Sequence, residues 1–339
     1  MRVGIIGGGF GLNVQAPIIQ THPMMKLTAI CTMKRHQLPN GIFSGKNIPT
    51  HYRNWKEMLD YEELDLLFIS SLPPYHFNMV KTALIKGINV VCEKPFTMNR
   101  HESNELVELT NHFPAKVMID YEWRFLPIRQ KMKELFLNNI GGLIHFDYHI
   151  SSAQYDHLQS TKRGWMAQKQ QFGGMLGAIG SHMIDCMRWI VGDEIEKING
   201  FVHTHVSEGA GEFRDADDAF FIHGKMKNNS TFSLQLLSGV NHGFGSQLRI
   251  FGNSGTIVLM NDHTLKYGKG SKPLEEIHIL QQGQIPFHLT TEVKAYYPAF
   301  YPFLEKVYEY ITFDKLDRDL PTIQDGHENQ VILDKILAN

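Results

Sequence analysis

MRVGIIGGGFGLNVQAP, residues 1–17, decides how the first part of the chain folds. Val3–Ile6 reads as a short buried strand, and Gly7, Gly9 and Gly11 follow it directly. A glycine cluster between a strand and a helix permits a tight turn and brings backbone N–H groups close to a pyrophosphate at the helix N-terminus. The spacing Gly7-x-Gly9 fits that mechanism, with Phe10, Gly11 and Leu12 completing the phosphate-binding turn. Leu12 stands where a third glycine is usual, so helix and strand are expected to pack slightly differently here. The plain alternative is a glycine turn with no ligand.

Working outward, short apolar runs alternate with helical patterns up to about residue 120. Residues 27–31, 65–71, 88–94 and 116–120 read as further strands, and HFNMVKTALIKG (76–87) as one of the intervening helices. Such repetition, with strands apolar throughout, means a doubly wound parallel sheet covered on both faces. The rhythm then changes. A helix over 127–139 precedes strands of mixed polarity at 143–152, 197–206, 219–226, 230–238, 246–252 and 255–260, interrupted by the segment 164–192. The expected architecture is an α/β Rossmann domain (1–120) followed by an α+β domain (121–339) with a large, mostly antiparallel sheet. One face of that sheet is expected to lack helices and to need a partner, so a homodimer or homotetramer is predicted.

Composition narrows the function classes. The 339 residues are 42% hydrophobic and 20% charged, with a formal net charge of −2. Near-neutral charge gives no electrostatic reason to bind nucleic acid or an anionic membrane, and no apolar run approaches the roughly 20 residues of a transmembrane helix. No signal-peptide pattern is read in residues 1–17, and Cys31, Cys92 and Cys186 are too sparse for a disulfide framework. A cytoplasmic location is expected. The pairs His145/His149 and His203/His205 have same-face spacing on strands, but nothing completes a ligand set, and no metal is expected.

The second strand ends Cys31-Thr32-Met33-Lys34-Arg35. An acidic residue near this point would bond the ribose 2′-hydroxyl of NAD. Thr32, Lys34 and Arg35 suit a 2′-phosphate instead, which favours NADP and leaves NAD open.

More specific is Cys92-Glu93-Lys94-Pro95, after the strand INVV. Taken with GGGFG (7–11), SLPPYH (71–76), YEWRFLP (121–127), GSHMID (180–185), DADDAFF (215–221), IFGNSGTIVL (250–259) and a late Asp-Gly (325–326), it resembles the glucose-fructose oxidoreductase / inositol dehydrogenase / rhizopine-catabolism (Gfo/Idh/MocA) family. The resemblance runs in order along nearly the whole chain. It implies that Lys94 lies at the nicotinamide, where a cation polarises the substrate C–O bond and stabilises a developing alkoxide. It implies that Ser71, Leu72, Pro73 and His76 pass the nicotinamide ribose, although His76 also reads as a plain helix-start histidine. Glu93 is implied to bond cofactor or backbone, and Arg124 and Trp165 to support the substrate.

Aligned on GSHMID, the family pattern supplies His182 as the proton-transferring partner of Lys94. The family's preceding aspartate falls on Ala178. Asp185, one turn beyond His182, can share its face and either orient the ring or contact substrate. Ser181 is expected to cap the helix, and a purely structural role for His182 and Asp185 stays open. Asp217 and Asp218 match a family position near the substrate and read equally as turn residues. The resemblance implies an NAD(P)-dependent oxidoreductase acting on a secondary alcohol or ketone of a sugar, cyclitol or derivative. The alternatives are a glycosidase or lyase with tightly bound cofactor, and a non-catalytic dinucleotide-binding regulator.

Overall fold

The computed structural model describes residues 1–39, 41–43, 48–279 and 283–338. The chain divides into two compact units, Met1–Phe125 with Gly283–Gln330, and Leu126–Gln282 with Val331–Asn339.

The first unit is built on six parallel strands: β1 (Arg2–Ile6), β2 (Lys26–Cys31), β3 (Thr50–Tyr52), β4 (Leu66–Ile69), β5 (Asn89–Cys92) and β6 (Val117–Ile119), in the order β3-β2-β1-β4-β5-β6. Neighbouring residues of one strand enter opposite cores. Ile5 and Phe68 pack with Val293, Phe300 and Phe303, whereas Ile6 and Leu67 pack with Met79, Ala83 and Leu84. Burial on both faces explains why these strands read as continuous apolar runs. The strand order reverses between β1 and β4, and in open α/β sheets the carboxyl ends at such a reversal hold the ligand.

The sequence rhythm predicts one crossing between domains near residue 120, but the chain comes back. Helix Thr291–Phe313 covers one face of the parallel sheet, where the Phe300 ring lies tilted against Phe68 with centroids 6.0 Å apart. Phe303 lies 5.7 Å from Phe125 on the same side. The Ile119 N–H then donates to the Pro321 carbonyl at 3.1 Å, so the returning chain extends the β6 edge. Apolar spacing shows that a helix has a buried face, but not which sheet it covers.

The second unit carries an eight-stranded sheet. Its strands are β7 (Leu143–Ser151), β8 (Ile195–His203), β11 (Ala219–Met226), β12 (Thr231–Leu237), β13 (Gly245–Gly252), β14 (Gly255–Met260), β15 (Thr264–Lys269) and β16 (Glu275–Ile277); a short hairpin of β9 (Glu208–Gly209) and β10 (Glu212–Phe213) stands apart. Pairing is antiparallel except for β7 with β12. Phe146, Tyr148, Leu234 and Ile250 are buried on one face, which helices Pro127–Asn139 and Ser181–Val191 contact. The other face is polar at its centre, where Asp147 accepts from Ser233 Oγ at 2.7 Å and pairs with His149 and Arg249. His145 bonds Thr231 and Ser233 on that face. Among the described residues, no three His, Cys, Asp or Glu side chains gather to hold a metal ion, and no helix is long and apolar enough to cross a membrane.

Candidate active site

The glycine turn explains itself atom by atom. A Cβ on Gly7 would stand 2.5 Å from the Ser70 carbonyl oxygen, so only glycine lets this turn pass the end of β4. A Cβ on Gly9 would meet nothing within 4 Å, which leaves its backbone open to a ligand. Gly11 would clash with Ile5 and Ser70 at 2.9 Å, so it performs the helix–strand packing usually given to the third glycine, one residue early. The register is absorbed by a π-helical turn, Gly11–Gln15, running into Ala16–Ile19. Leu12 is fully buried in the core, so its side chain belongs to packing and only its backbone can serve the turn. Phe10 lies edge-on to Tyr296 at 5.0 Å. First-turn N–H groups and a clear backbone at Gly9 fit a dinucleotide pyrophosphate.

At the end of β2, Thr32 is buried and its hydroxyl bonds His51 Nε2 at 2.7 Å. Arg35 reaches back to the Gly8 carbonyl at 3.4 Å, beside exposed Lys34. Arg53, from the end of β3, bonds the neighbouring His36 at 3.2 Å and adds a cation that sequence reading passed over. No Asp or Glu occurs between Thr32 and Arg53. The signal for Arg53 was the third strand itself, only three residues long and too short to be read.

The carboxyl ends of β5 and β6 hold a denser network. Gln15 Nε2 donates to Glu93 Oε1 at 3.0 Å and to Asp120 Oδ2 at 2.8 Å, while Gln15 Oε1 accepts from the Ser70 hydroxyl. Asp120 is fully buried, whereas Glu93 and Lys94 keep part of their surface exposed. Burial pushes the Asp120 carboxyl well above the usual carboxylate range, and the neighbouring Glu93 charge adds to this. Neither Gln15 nor Asp120 was singled out from the sequence. Asp120 could have been, because it ends the last strand of a sheet whose carboxyl ends bind ligands.

His76 is completely buried, with Nδ1 3.1 Å from the Pro95 carbonyl oxygen and Nε2 3.1 Å from that of Ser71. It therefore ties the Ser71-Leu72-Pro73 turn to the Lys94-Pro95 turn, and its ring does not face solvent. Pro73 opens helix Pro73–Ile85. Arg124, expected at the substrate, is buried at 4% exposure and pairs with Asp325 at 2.9 Å. That pair anchors the segment after β6 to the late Asp-Gly, so the guanidinium serves the scaffold.

In the second unit, Gly173 and Gly174 thread a narrow passage. Gly174 has φ +98°, and a Cβ there would fall 2.2 Å from Asp217 Oδ1. Asp217 Oδ2 accepts the Leu176 N–H at 2.8 Å, which caps the helical segment from outside it. Burial pushes the Asp217 carboxyl up to about 6, against the backbone N–H bonds that hold it down. Ser181 is not the cap that the sequence predicts. The segment starts earlier, as a π-helical turn Leu176–Gly180, and the Ser181 hydroxyl donates back to the Gly177 carbonyl at 2.7 Å. The helix closes at Gly192, φ +65°. His182 and Asp185 are both buried, at 3% and 2% exposure, and lie on one face with half-buried Ala178. Trp165 is partly buried, in the turn Gly164–Ala167.

Glycine turn, Glu-Lys-Pro and the His182 helix thus recur in one chain in a fixed order. A model of the oxidoreductase family with NAD-binding Rossmann fold matches residues 1–121, and a model of the GFO/IDH/MocA C-terminal domain matches residues 130–258. The chain belongs to the Gfo/Idh/MocA oxidoreductase family.

An uncharacterized oxidoreductase, sll0816, from a Synechocystis strain is 26% identical over 98% of this chain and 92% of its own length. Glucose-6-phosphate 3-dehydrogenase of Bacillus subtilis is 24% identical over 67% of this chain and 65% of its own. Among solved structures, a levoglucosan dehydrogenase in complex with NADH and L-sorbose superposes with a TM-score of 0.85 at 19% identity, covering 99% of this chain and 95% of that one. A super-repressor mutant of Gal80p from Saccharomyces cerevisiae superposes with a TM-score of 0.79 at 15% identity, covering 99% and 94%. As a Gfo/Idh/MocA member, the protein belongs to an oxidoreductase family and carries its NAD-binding Rossmann fold.

Proposed function

We propose that this protein is an NADP-preferring dehydrogenase that interconverts a secondary alcohol and ketone on a sugar, cyclitol or close derivative. The carrying observation is the end of β2. Lys34 and Arg35 follow β2, Arg53 follows the neighbouring β3, and no carboxylate lies between Thr32 and Arg53 to claim a 2′-hydroxyl, which supports a 2′-phosphate at this strand end. Sugar chemistry is supported by the named activities of the Bacillus subtilis and levoglucosan relatives.

When bound, the nicotinamide supplies the hydride-accepting carbon. Lys94 polarises the substrate C–O bond and stabilises oxygen charge as the hydrogen leaves carbon. His182 takes the hydroxyl proton, and an imidazole is suited to this because its ordinary pKa of about 6.5 lies near operating pH. Asp185 orients the His182 ring or the substrate from one turn away. The test is an initial-rate screen of sugars and cyclitols with both cofactors. A lower KM for NADP than for NAD supports the reading, and equal KM values remove the 2′-phosphate argument.

A non-catalytic regulator is favoured by one observation, the alanine at 178 where the family pattern has a carboxylate. Tight cofactor binding without turnover on any polyol would select it. Self-association is proposed through the polar face of the eight-stranded sheet. There Phe201, 56% exposed, stacks on Phe221 at 5.1 Å, and light scattering of the purified protein reads the number of chains.

A further inference from the structure

We infer that Glu93 and Asp120 hold one proton between them and, as a unit, set the charge that Lys94 faces. Only the role of Lys94 in this statement rests on the dehydrogenase reading; the shared proton does not.

The geometry places the proton. Both carboxyls converge on the Gln15 amide, whose two Nε2 hydrogens are given to Glu93 Oε1 and Asp120 Oδ2. The reverse orientation of that amide would set Oε1 against two carboxyl groups, whereas here Oε1 accepts from the Ser70 hydroxyl. Gln15 therefore gives one hydrogen to each carboxyl, and the two acid groups, both within 3.0 Å of one amide nitrogen, lie side by side. Two adjacent carboxylates do not both ionise readily.

Their surroundings then assign the charge. Asp120 is fully buried, and its Oδ1 receives no hydrogen bond from the protein. Glu93 keeps partial exposure, accepts the Lys94 N–H at Oε2 (3.3 Å), and feels the Lys94 charge. Asp120 is thus the protonated acid of the pair, and Glu93 the carboxylate. The other titratable groups facing the pair are Cys92 on β5, Glu122 after β6 and Tyr296 on helix Thr291–Phe313. Of these, only Glu122 is an ordinary acid, and a further negative charge makes loss of the shared proton harder. Lys94 faces one net negative charge while the proton is held and two once it is lost. The second charge draws the ammonium off the substrate oxygen, so turnover falls at alkaline pH.

The test uses the full chain carrying 13C-labelled aspartate carboxyls. At about pH 8, where Asp217 is ionised, one aspartate side chain remains protonated, and Asp120→Asn removes its resonance. If every aspartate carboxyl is ionised at that pH in the parent protein, the proposal is overturned. This measurement needs no substrate, so it fails or succeeds apart from the dehydrogenase reading. The coupling to Lys94 is read from pH profiles on the screened substrate. Asp120→Asn, which stays neutral at every pH, moves the alkaline fall of kcat to higher pH. Asp120→Ala lowers kcat by about tenfold with substrate KM within about twofold. An alkaline limb identical in Asp120→Asn and parent overturns the coupling.

Discussion

Asp217 and Leu176 stand 41 residues apart in sequence, yet the carboxylate of one accepts the backbone N–H of the other at 2.8 Å. The helix that carries His182 and Asp185 is therefore capped by a residue of the loop before β11. A cap from a distant loop fixes where that helix begins, and so where both side chains are presented.

Asp217→Ala is expected to lower stability by about 1–3 kcal/mol, because it removes the cap and leaves a buried N–H without its acceptor. Asp217→Asn, which keeps one acceptor oxygen, is expected to cost less. The pH sign follows from the raised carboxyl. Between the unfolded value of 3.8 and the folded value of about 6, the folded state binds more proton. Stability from this group therefore rises as pH falls from about 6 toward about 4 and is flat above about 6. Denaturant unfolding across that range should show the slope in the parent and lose it in Asp217→Asn.

Ala178 lies one helical turn before His182, so Ala178→Asp places a carboxylate against the ring. The position is half-buried. The expected result is a His182 ionisation moved to higher pH in the kcat/KM profile, with turnover raised by up to about tenfold. An unchanged profile would mean that residue 178 does not reach the histidine.

How much of this was legible beforehand follows from where each signal sits. The parallel sheet could be read because strands buried on both faces are apolar throughout, and the glycine turn because close approach demands glycine at Gly7 and Gly11. Lys94 and His182 were named because family resemblance fixes them in order. The return of residues 283–330 to the first unit was not legible, since amphipathic spacing does not say which sheet a helix covers. Asp217 reads locally as a turn residue, and its capping role exists only across 41 residues. Arg124 looks like a free cation in sequence, and only burial against Asp325 reveals its structural work.

Arg129 is a buried charge of the second unit. It is 1% exposed and held by Asp262 through two hydrogen bonds, at 2.8 and 2.9 Å, with Tyr148 at 2.8 Å and Cys186 at 3.1 Å. Asp262→Ala leaves a buried guanidinium without its counter-charge and is expected to destabilise the protein by about 3–5 kcal/mol. Because Cys186 adjoins Asp185, calorimetry of this variant should be paired with a rate measurement. A loss below about 1 kcal/mol would show that the pair is solvated.

Arg35→Ala and Arg53→Ala are each expected to raise KM for NADP by about tenfold while leaving KM for NAD within about twofold. Equal effects on both cofactors would place these side chains away from the 2′ group.

The most direct test is the initial rate of nicotinamide reduction across a panel of sugars and cyclitols, in the parent and in Lys94→Ala. The dehydrogenase reading predicts turnover on at least one polyol, preferentially with NADP, and a fall in kcat of about 100-fold or more in the variant. Cofactor binding with no turnover on any polyol, or full activity without Lys94, would contradict it.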